Sequence, residues 1–308
     1  IRDSVASRGL GDVYKRQNDE YDQKLKFSPR DLVLVGGRRG AGKSLTCVNI
    51  ANNVYNQGRS SIYFTIEMDS RSILQRMCAL GARVPIGRLA TRNLTSTEWN
   101  RVAEWWAGRF DGGVELLPNF YEDRDFDEFH KKLQTRPLHK DKQLDVVYDP
   151  VLTLPRIRQE LESKLSQGDY GVIIVDYLNQ VKRSNVPSKG GQYDWTEQIE
   201  VSKTLKSMAQ EYNVPVFSPY QTDNTGEARF AKGILDAADA AYTIETWSPE
   251  DECITFNCTK MRSAKMEGFT SVMDWETLKI GPQSTMNPKE RDAIKDSLST
   301  GEDIHDAI

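Results

Sequence analysis

Histidine and cysteine are scarce in this sequence of 308 residues, which contains three histidines and four cysteines. No two cysteines form a C-x-x-C pair, and neither residue type is spaced as zinc ligands are. A zinc site is therefore not expected. The four cysteines (Cys47, Cys78, Cys253 and Cys258) are better explained as reduced, packed thiols, which are typical of a cytoplasmic protein.

Long apolar stretches are missing as well. No run approaches the ~20 residues of a membrane-spanning helix, and the first residues do not resemble a signal peptide. A formal net charge of −4 excludes a uniformly basic nucleic-acid-binding surface, although local basic loops remain compatible with it. Hydrophobic residues make up 38% and charged residues 28%, which is the composition of a globular protein with an apolar core.

Both ends of the chain lack the periodicity of folded elements. The chain starts with Ile1 rather than methionine, and the run RGLGDVYKRQ resembles translated adapter sequence, so residues 1–17 are interpreted as a non-native leader. Residues 18–30 then lead into the first strand. Residues 281–308 have weak periodicity and more acidic than basic side chains, which indicates an appended tail. One folded domain is therefore expected between residues 31 and 280.

The most informative stretch covers residues 32–49, LVLVGGRRGAGKSLTCVN. Four apolar residues predict a buried strand, a glycine-rich loop follows, and an amphipathic helix begins at Lys43. The stretch matches the phosphate-binding pattern G-x-x-x-x-G-K-[ST] at Gly37, Gly42, Lys43 and Ser44. In this pattern backbone N–H groups and the helix N-terminus surround the phosphates, the lysine contacts the β- and γ-phosphates, and the serine hydroxyl holds Mg²⁺.

ATP and Mg²⁺ are therefore the expected cofactors. The residues expected to contact the nucleotide form one continuous run: Gly37, Arg38, Arg39, Gly40, Ala41, Gly42, Lys43, Ser44 and Leu45. A chance match to the pattern is the alternative. The strand before the loop and the helix after it argue against chance, because the pattern binds phosphate only in that context.

Two further buried strands end in a carboxylate. Residues 61–68 (SIYFTIEM) reach Glu67, and residues 171–177 (GVIIVDY) reach Asp176. A carboxylate at the end of a strand downstream of a phosphate loop is the usual partner of Mg²⁺, so Asp176 joins Ser44 as a predicted metal ligand. Another strand, over residues 214–218, comes shortly before Gln221.

Strands alternate along the chain with helices of ten or more residues, which predicts a parallel sheet with helices on both faces. In such sheets ligands bind beyond the carboxyl ends of the strands. Lys43, Glu67, Asp176 and Gln221 all fall at such ends. We therefore expect these four residues to form a single site.

Periodicity and capping signals predict the remaining elements: helices after Asp69 or Ser70, after the capping box of Thr95 and Glu98, and near residues 154–165 and 201–212, and strands at 114–117, 241–245, 253–259 and 269–275. In the capping-box helix, Trp99 and Trp106 are interpreted as core residues rather than as a base-stacking platform. The charged segment 119–143 is interpreted as surface helix and loop.

Together these motifs resemble the RecA-like motor domain of DnaB-type replicative helicases, over roughly residues 31–280. The segments that carry the resemblance are GGRRGAGKS, FTIEM with Glu67, RLATRNLT, IIVDYLNQV with Asp176, LKSMAQEYNVPV, PYQ with Gln221, GILDAADA, and TKMR with Lys260 and Arg262. The resemblance implies an α/β fold of the RecA-like P-loop NTPase type. Its sheet is mostly parallel and twisted, with helices on both faces and an antiparallel C-terminal extension. It also implies a DNA helicase that hydrolyses ATP to ADP and phosphate.

The resemblance implies catalytic roles for Lys43 and four further residues. Glu67 orients the water that attacks the γ-phosphate, and Gln221 contacts that phosphate and reports its presence to the following loop. Lys260 and Arg262 are two residues apart on a predicted strand and so share one face; they reach the ATP of a neighbouring subunit. Each of these residues also has a less favoured structural explanation. The glutamate can be a surface-facing acid, and the glutamine can be a polar residue that merely follows a strand. The basic pair can be the charges that protect an exposed edge strand.

The resemblance further implies a homo-hexameric ring that binds single-stranded DNA, with primase and a helicase loader as partners, in the cytoplasm of a bacterial or phage-infected cell. Loops over residues 182–192 and 224–233 are the predicted DNA contacts. Their candidate residues are Lys182, Arg183, Lys189, Arg229, Lys232 and Gly233. A ring in which only the channel is basic reconciles DNA binding with an acidic chain.

Three features depart from the family pattern. This sequence does not contain the helical amino-terminal domain and its linker helix, the segment 119–143 is longer than expected, and Pro219 and Tyr220 precede Gln221 where a small polar residue is usual. Two other functions are compatible with the motifs: a RecA- or KaiC-like ATPase that uses ATP as an assembly switch, and a loader that binds nucleotide with little turnover. The strand ending in Glu-Met favours a helicase over the switch, and Glu67 with Arg262 favours a hydrolase over the loader.

Overall fold

The computed structural model describes residues 27–56, 58–107, 142–184, 195–222, 231–246 and 253–281. Its strands are β1 (Leu32–Gly37), β2 (Ser60–Thr65), β3 (Leu144–Tyr148), β4 (Tyr170–Asp176), β5 (Val216–Gln221), β6 (Ala240–Thr246), β7 (Cys253–Met261), β8 (Phe269–Asp274) and β9 (Lys279–Ile280). Its helices are α1 (Lys43–Asn56), α2 (Ser70–Ala82), α3 (Ile86–Ala90), α4 (Ser96–Ala107), α5 (Leu154–Leu165), α6 (Trp195–Tyr212) and α7 (Ala231–Ala237). A 3₁₀ turn, Leu178–Gln180, follows β4.

Within the described residues, nine strands form one sheet in the order β3-β2-β4-β5-β1-β6-β7-β8-β9. The first six strands of this order are parallel to one another, and the last three are antiparallel to their neighbours. The predicted fold, a mostly parallel sheet with an antiparallel C-terminal extension, is confirmed. As a result the carboxyl ends of β1, β2, β4 and β5 meet at one edge of the sheet, which we call the carboxyl edge.

Helices cover both faces of the sheet, as the alternation of elements predicted. Because successive side chains of a strand point to opposite faces, Val33 and Val35 join the apolar layer under α1 and α2, whereas Leu32 and Leu34 join the layer under α5 and α6. All four side chains are almost completely buried. Burial of apolar surface on both faces stabilises β1, which therefore holds the following loop in a fixed place.

Helix starts follow the capping signals in the sequence. The carboxylate of Asp69 accepts a hydrogen bond from the N–H of Ser72 at 2.7 Å and caps α2. At α4 the capping box is reciprocal: the N–H of Thr95 donates to Glu98 Oε2 at 2.7 Å, and the N–H of Glu98 donates to Thr95 Oγ1 at 3.3 Å. Arg88 adds an ion pair to Glu98 at 2.9 Å. Both predicted caps are confirmed.

Helix α4 buries Trp105, whereas the sequence predicted Trp99 and Trp106 as the core tryptophans of this helix. Trp105 is 4% exposed, Trp99 is only half-buried, and the side chain of Trp106 lies outside the described residues. The physical reason is the space above Gly81 in α2, where a Cβ would come within 2.1 Å of the Trp105 indole nitrogen. The indole fills a gap that only glycine leaves, and spacing along α4 does not reveal that gap.

Several predicted boundaries shift by a few residues. β2 ends at Thr65 instead of residue 68, and β5 extends to Gln221, which is therefore the last residue of the strand. Hydrogen bonding to neighbouring strands decides where a strand ends, and the sequence does not show it. The predicted strand 114–117, the segment 119–143 up to residue 141, the leader and the tail beyond residue 281 lie outside the described residues. The division of the chain into domains stays a prediction.

In the described ranges, none of the helices is both long enough and apolar enough to cross a lipid bilayer.

Candidate nucleotide site

The phosphate loop connects β1 to α1 at the carboxyl edge. Gly40 and Gly42 have φ angles of +81° and +90°, which residues with a Cβ rarely adopt, so the loop requires glycine at both positions. A hydrogen bond from the N–H of Ala41 to the carbonyl of Arg38, at 3.2 Å, closes the turn. Because α1 begins at Lys43, its first N–H groups and the positive end of its dipole point into the loop. This arrangement can bind phosphate groups.

Gly36, just before the loop, lies against the ring of Tyr220 on the neighbouring strand β5. A Cβ at position 36 would lie 2.4 Å from the ring carbon Cζ. Tyr220 is 2% exposed. The bulky tyrosine, which departs from the family pattern, is therefore accommodated by the glycine beside it, and β1 and β5 stay in register along their whole length.

The Lys43 ammonium lies inside the loop. Its Nζ donates to the carbonyl oxygens of Gly37 and Arg38, at 2.8 Å and 2.6 Å. Burial lowers the pKa of Lys43, and the charges of Asp176 and Glu67 oppose that shift. The carbonyl dipoles thus hold the ammonium where the motif predicts the β- and γ-phosphates.

Asp176, the last residue of β4, is 4% exposed. Its Oδ2 accepts a hydrogen bond from the Tyr63 hydroxyl at 2.6 Å, whereas its buried Oδ1 has no hydrogen-bond partner in the described part of the chain. Burial raises the pKa of Asp176, and the Tyr63 and Ser44 hydroxyls and the Lys43 ammonium oppose that shift. A buried, unpaired carboxylate oxygen near a serine hydroxyl suits a cation that prefers oxygen ligands. Asp176 and Ser44 therefore fit the predicted Mg²⁺.

Glu67 and Gln221 lie at the same edge of the sheet. Glu67 follows β2 by two residues, and a hydrogen bond of 3.1 Å from the N–H of Ile66 to the carbonyl of Asp176 joins its turn to the end of β4. Gln221 is the partner of Gly37 in the β1–β5 register. Both side chains are exposed, so both can meet a ligand that enters from solvent.

A cavity of about 610 Å³ brings the predicted residues together. This volume is within the range of small-molecule sites, which is ~300–1,000 Å³. The predicted residues that line it are Arg39, Gly40, Gly42, Lys43, Ser44, Leu45, Glu67 and Gln221. Asp176 is buried behind Lys43 and acts on it electrostatically. The expectation that Lys43, Glu67, Asp176 and Gln221 converge therefore agrees with the geometry, while their chemical roles stay predictions.

Sequence reasoning missed six residues that line the cavity: Arg76, Ile86, Tyr177, Gln180, Trp275 and Leu278. Arg76, on α2, lowers the pKa of Asp176 by its charge and can pair with a phosphate oxygen. Ile86, Trp275 and Leu278 form an apolar, partly aromatic wall that suits a flat base. No local motif marks these positions; the only signal for Arg76 was its place in a helix predicted to follow Glu67.

The β8–β9 turn, which carries part of that apolar wall, is attached to α1. Asn49 Nδ2 donates to the carbonyl of Leu278 at 2.9 Å, and Asn49 Oδ1 accepts from the N–H of Ile280 at 3.0 Å. On the other side, the N–H of Ile86 donates to the carbonyl of Glu276 at 2.8 Å. The wall is therefore fixed relative to the phosphate loop.

Lys260 and Arg262 do not lie in the cavity. Because β7 is antiparallel to β6, its end lies beside the start of β6, where Met261 is the partner of Ala240. The start of β6 is in turn beside the start of β1. The phosphate loop is at the other end of β1, a six-residue strand, so the two sites are separated by roughly 17–20 Å. These two cations therefore cannot act on a nucleotide bound by their own chain.

Both cations hold the end of α7 instead. Lys260 Nζ donates to the carbonyls of Leu235 and Asp236, at 2.5 Å and 3.0 Å, and Arg262 Nη2 donates to the carbonyl of Asp236 at 2.7 Å. Arg262 Nη1 also pairs with Asp239 Oδ1 at 3.3 Å. Cations at a helix C-terminus stabilise it. The two side chains thus share one face, as predicted, although Arg262 comes one residue after the end of β7.

The predicted DNA-contact residues are only partly described. Lys189 and Arg229 lie outside the described residues. The backbone of Lys182 bonds to Leu152 and Leu154 beside α5, and the exposed Arg183 donates its N–H to Glu197 Oε1 at 2.9 Å. Nothing in these contacts tests DNA binding, which stays a prediction.

The second predicted DNA loop is shorter than expected. Helix α7 begins at Ala231, so Lys232 and Gly233 are helical rather than in a loop, and the side chain of Lys232 lies outside the described residues. A Cβ at Gly233 would come within 2.4 Å of Ile199 Cδ1 on α6. Close packing of α7 on α6 therefore accounts for this glycine.

Comparison with known proteins gives a consistent result. The sequence profile of the family described as DnaB-like helicase C terminal domain matches residues 18–233. The replicative DNA helicase DnaB of Nostoc sp. is 26% identical over 209 residues, which are 67% of this chain and 20% of that protein. The chain spans less than half the length of the curated relatives it matches. For two other relatives, the match covers 38% of the relative's length.

Two solved structures share the fold. The structure described as "ATPase Domain of G40P" has a TM-score of 0.62 at 14% identity and covers 83% of this chain and 86% of that one. "The Structure Of A DnaB-Like Replicative Helicase And Its Interactions With Primase" has a TM-score of 0.64 at 14% identity and covers 83% of this chain and 58% of that one. The RecA-like fold is therefore common to all three chains.

Proposed function

Because this chain belongs to the family of DnaB-like helicase C-terminal domains, we propose that it is the ATP-hydrolysing motor of a replicative DNA helicase. The motor translocates on single-stranded DNA and unwinds the duplex ahead of it. The observation that carries the proposal is the convergence of phosphate-loop residues, Glu67 and Gln221 at one cavity. The buried carboxylate of Asp176, with its unpaired oxygen, lies next to this cavity and acts on Lys43.

Nucleotide binding rests on the phosphate loop. The N–H groups at the start of α1 and the Lys43 ammonium bind the β- and γ-phosphates, and Lys43 exchanges its carbonyl partners for phosphate oxygens. Ser44 and Asp176 would hold Mg²⁺, which would neutralise charge on those phosphates. The apolar wall with Trp275 receives the base.

Hydrolysis rests on Glu67. Its exposed carboxylate at the mouth of the site orients a water for attack on the γ-phosphorus. The bond to the bridging oxygen breaks, ADP leaves with that oxygen, and the water oxygen stays on the phosphate. In a loose transition state positioning contributes most, so the main contribution of this carboxylate is to orient the water. Gln221 and Arg76 contact the γ-phosphate oxygens.

Assembly completes the site. Lys260 and Arg262 are too far from their own phosphate loop to act there, and the Arg262 side chain is 51% exposed. In a ring, the end of β7 in one subunit faces the carboxyl edge of the next subunit. There the two cations stabilise charge on the neighbour's γ-phosphate. The motor is accordingly a homo-hexamer, and the isolated chain is a poor ATPase.

DNA and protein partners follow from the family. Single-stranded DNA passes through the ring and contacts the loops over residues 182–192 and 224–233, and the protein acts in the bacterial cytoplasm. Primase and a helicase loader are further partners; the description of one structural relative names primase.

The deciding experiment is strand displacement. The purified protein is incubated with a forked DNA, ATP and Mg²⁺, and release of the labelled strand is followed, with Lys43→Ala as the inactive control. ATP-dependent release that the control lacks supports the helicase. DNA-stimulated ATP hydrolysis without release would contradict it and favour the RecA- or KaiC-like assembly switch.

A further inference from the structure

Tyr63 lies in the middle of β2, in the apolar layer under α1, and its side chain is 0% exposed. Its partner in the β2–β4 register is Ile174, two residues before Asp176. Residues two apart on a strand share a face, so the ring of Tyr63 reaches diagonally across to Asp176. The hydroxyl donates to Asp176 Oδ2 at 2.6 Å.

This hydrogen bond decides which carboxylate oxygen is available. Oδ2 is occupied by the phenol, and Oδ1 has no hydrogen-bond partner among the residues that the structure describes. The Tyr63 oxygen is also 3.5 Å from the Ser44 carbonyl, too long for more than a weak bond. The phenol thus lies between the start of α1 and the end of β4, directly behind the two predicted metal ligands.

Packing alone does not explain the hydroxyl. Phenylalanine would fill the same apolar space, and a buried hydroxyl costs free energy unless it is hydrogen-bonded. The phenol of tyrosine carries a hydroxyl proton that can be donated, and here it is directed at the Asp176 carboxylate. The chain therefore holds a donor within hydrogen-bond distance of Oδ2.

We propose that Tyr63 is a positioning residue for the magnesium site: it holds Asp176 through Oδ2 so that Oδ1 is presented to the cation that accompanies the nucleotide. The proposal rests on the proposed function, because it takes Ser44 and Asp176 as the metal ligands. It goes beyond the motifs, which assign nothing to position 63. Hydrogen bonds that orient a metal ligand typically change metal affinity by ~10–100-fold.

The test is the Mg²⁺ dependence of nucleotide binding in Tyr63→Phe. The affinity of a fluorescent ATP analogue is measured in EDTA and over a Mg²⁺ titration. We expect the affinity in EDTA to equal that of the unaltered protein, and the half-saturating Mg²⁺ concentration to rise by about tenfold.

Tyr170→Phe is the matched control. Tyr170 is also buried, and its hydroxyl also donates to a carboxylate, that of Asp145. It lies at the opposite end of β4 from Asp176, about 20 Å away. If the position of the Tyr63 phenol beside Asp176 is what matters, and not the general loss of a buried hydrogen bond, Tyr170→Phe leaves the Mg²⁺ titration unchanged.

A double variant tests whether Tyr63 acts through Asp176. If Tyr63 acts through Asp176, then adding Tyr63→Phe to an Asp176→Asn variant causes no further shift in the Mg²⁺ titration. An equal shift in the unaltered protein and in the Asp176→Asn variant would overturn the positioning role. An unchanged titration in Tyr63→Phe alone, or the same shift in Tyr170→Phe, would overturn it as well. If the unaltered protein bound the analogue without regard to Mg²⁺, the proposed function itself would fail.

Discussion

The Arg262 guanidinium pairs with the Asp239 carboxylate, Nη1 to Oδ1, at 3.3 Å. The other oxygen of Asp239 accepts hydrogen bonds from Lys206 Nζ at 2.6 Å and from the N–H of Leu32 at 2.9 Å. Asp239 thus ties Arg262 to the first residue of β1 and to α6. Arg262 and the phosphate loop are therefore at opposite ends of the same strand, in positions that suit two adjacent subunits of a ring better than one.

Mixed rings test action between subunits. Arg262→Ala and Lys43→Ala proteins are each expected to lack ATPase activity. In an equimolar mixture, about one interface in four combines an intact phosphate loop with an intact arginine, so about a quarter of the activity returns.

Arg158→Ala is the matched control for loss of a surface ion pair, because Arg158 pairs with Glu211 at 2.7 Å. It should keep full activity. Absence of any recovery in the mixture would count against a shared site.

Lys43→Ala removes the ammonium from the phosphate loop. We expect nucleotide affinity to fall at least ~100-fold, because the two terminal phosphates lose their charge-assisted contact. Binding of a fluorescent ATP analogue measures it. Lys203→Ala, which removes an exposed lysine from α6, should bind as the unaltered protein does; similar affinity in both variants would exclude Lys43 from the site.

Glu67→Gln separates binding from hydrolysis. The amide keeps the size of the side chain but cannot accept a proton, so we expect nucleotide affinity within about threefold of normal and turnover lower by ~10²–10⁴-fold. Steady-state phosphate release and analogue binding measure the two effects. Glu200→Gln, an exposed position on α6, serves as the control. Full turnover in Glu67→Gln would remove that carboxylate from the mechanism.

Asn49→Ala cuts the link between α1 and the β8–β9 turn. The carbonyl of Leu278 and the N–H of Ile280 lose a buried partner, so we expect a loss of ~2–3 kcal/mol in the free energy of unfolding and weaker nucleotide binding. Denaturant titration and analogue binding measure both.

Asn52→Ala, in the same helix, is the control for Asn49. Asn52 is also buried, but its Oδ1 has no hydrogen-bond partner in the described part of the chain. Its loss of stability should be clearly smaller. Equal losses would mean that the link to the turn contributes little.

Gly81→Ala tests the gap beneath Trp105. The added methyl collides with the indole, and overpacking of this kind costs ~1–3 kcal/mol in the free energy of unfolding. Gly87→Ala in α3, where a Cβ meets nothing within 4 Å, should leave stability unchanged or raise it by up to ~1 kcal/mol. Thermal unfolding of the two variants distinguishes them, and equal stability would argue against the collision.

Local patterns were sufficient for much of the fold. The phosphate loop, the caps at Asp69 and Thr95, and the alternation of strands with helices all depend on residues close in sequence, and all were predicted. The short elements β3, β9, α3 and α7 were not. The convergence of Lys43, Glu67, Asp176 and Gln221 also followed, because a parallel sheet brings strand ends together whatever the details of packing.

Contacts between distant segments escaped prediction. Arg76 and Trp275 reach the cavity only because α2 and the β8–β9 turn pack around α1, and no spacing within either segment indicates it. Burial of Trp105 depends on a glycine in another helix. The attachment of Lys260 and Arg262 to α7 likewise depends on β7 returning beside β6.

The contact between Gly36 and Tyr220 constrains how this protein can evolve. Neither position can change alone: a larger residue at 36 has no room while the aromatic ring is present, and a smaller residue at 220 leaves a void beside the strand that carries the phosphate loop. The two sites are therefore expected to covary, and a homologue with a side chain at the first should carry a compact residue at the second.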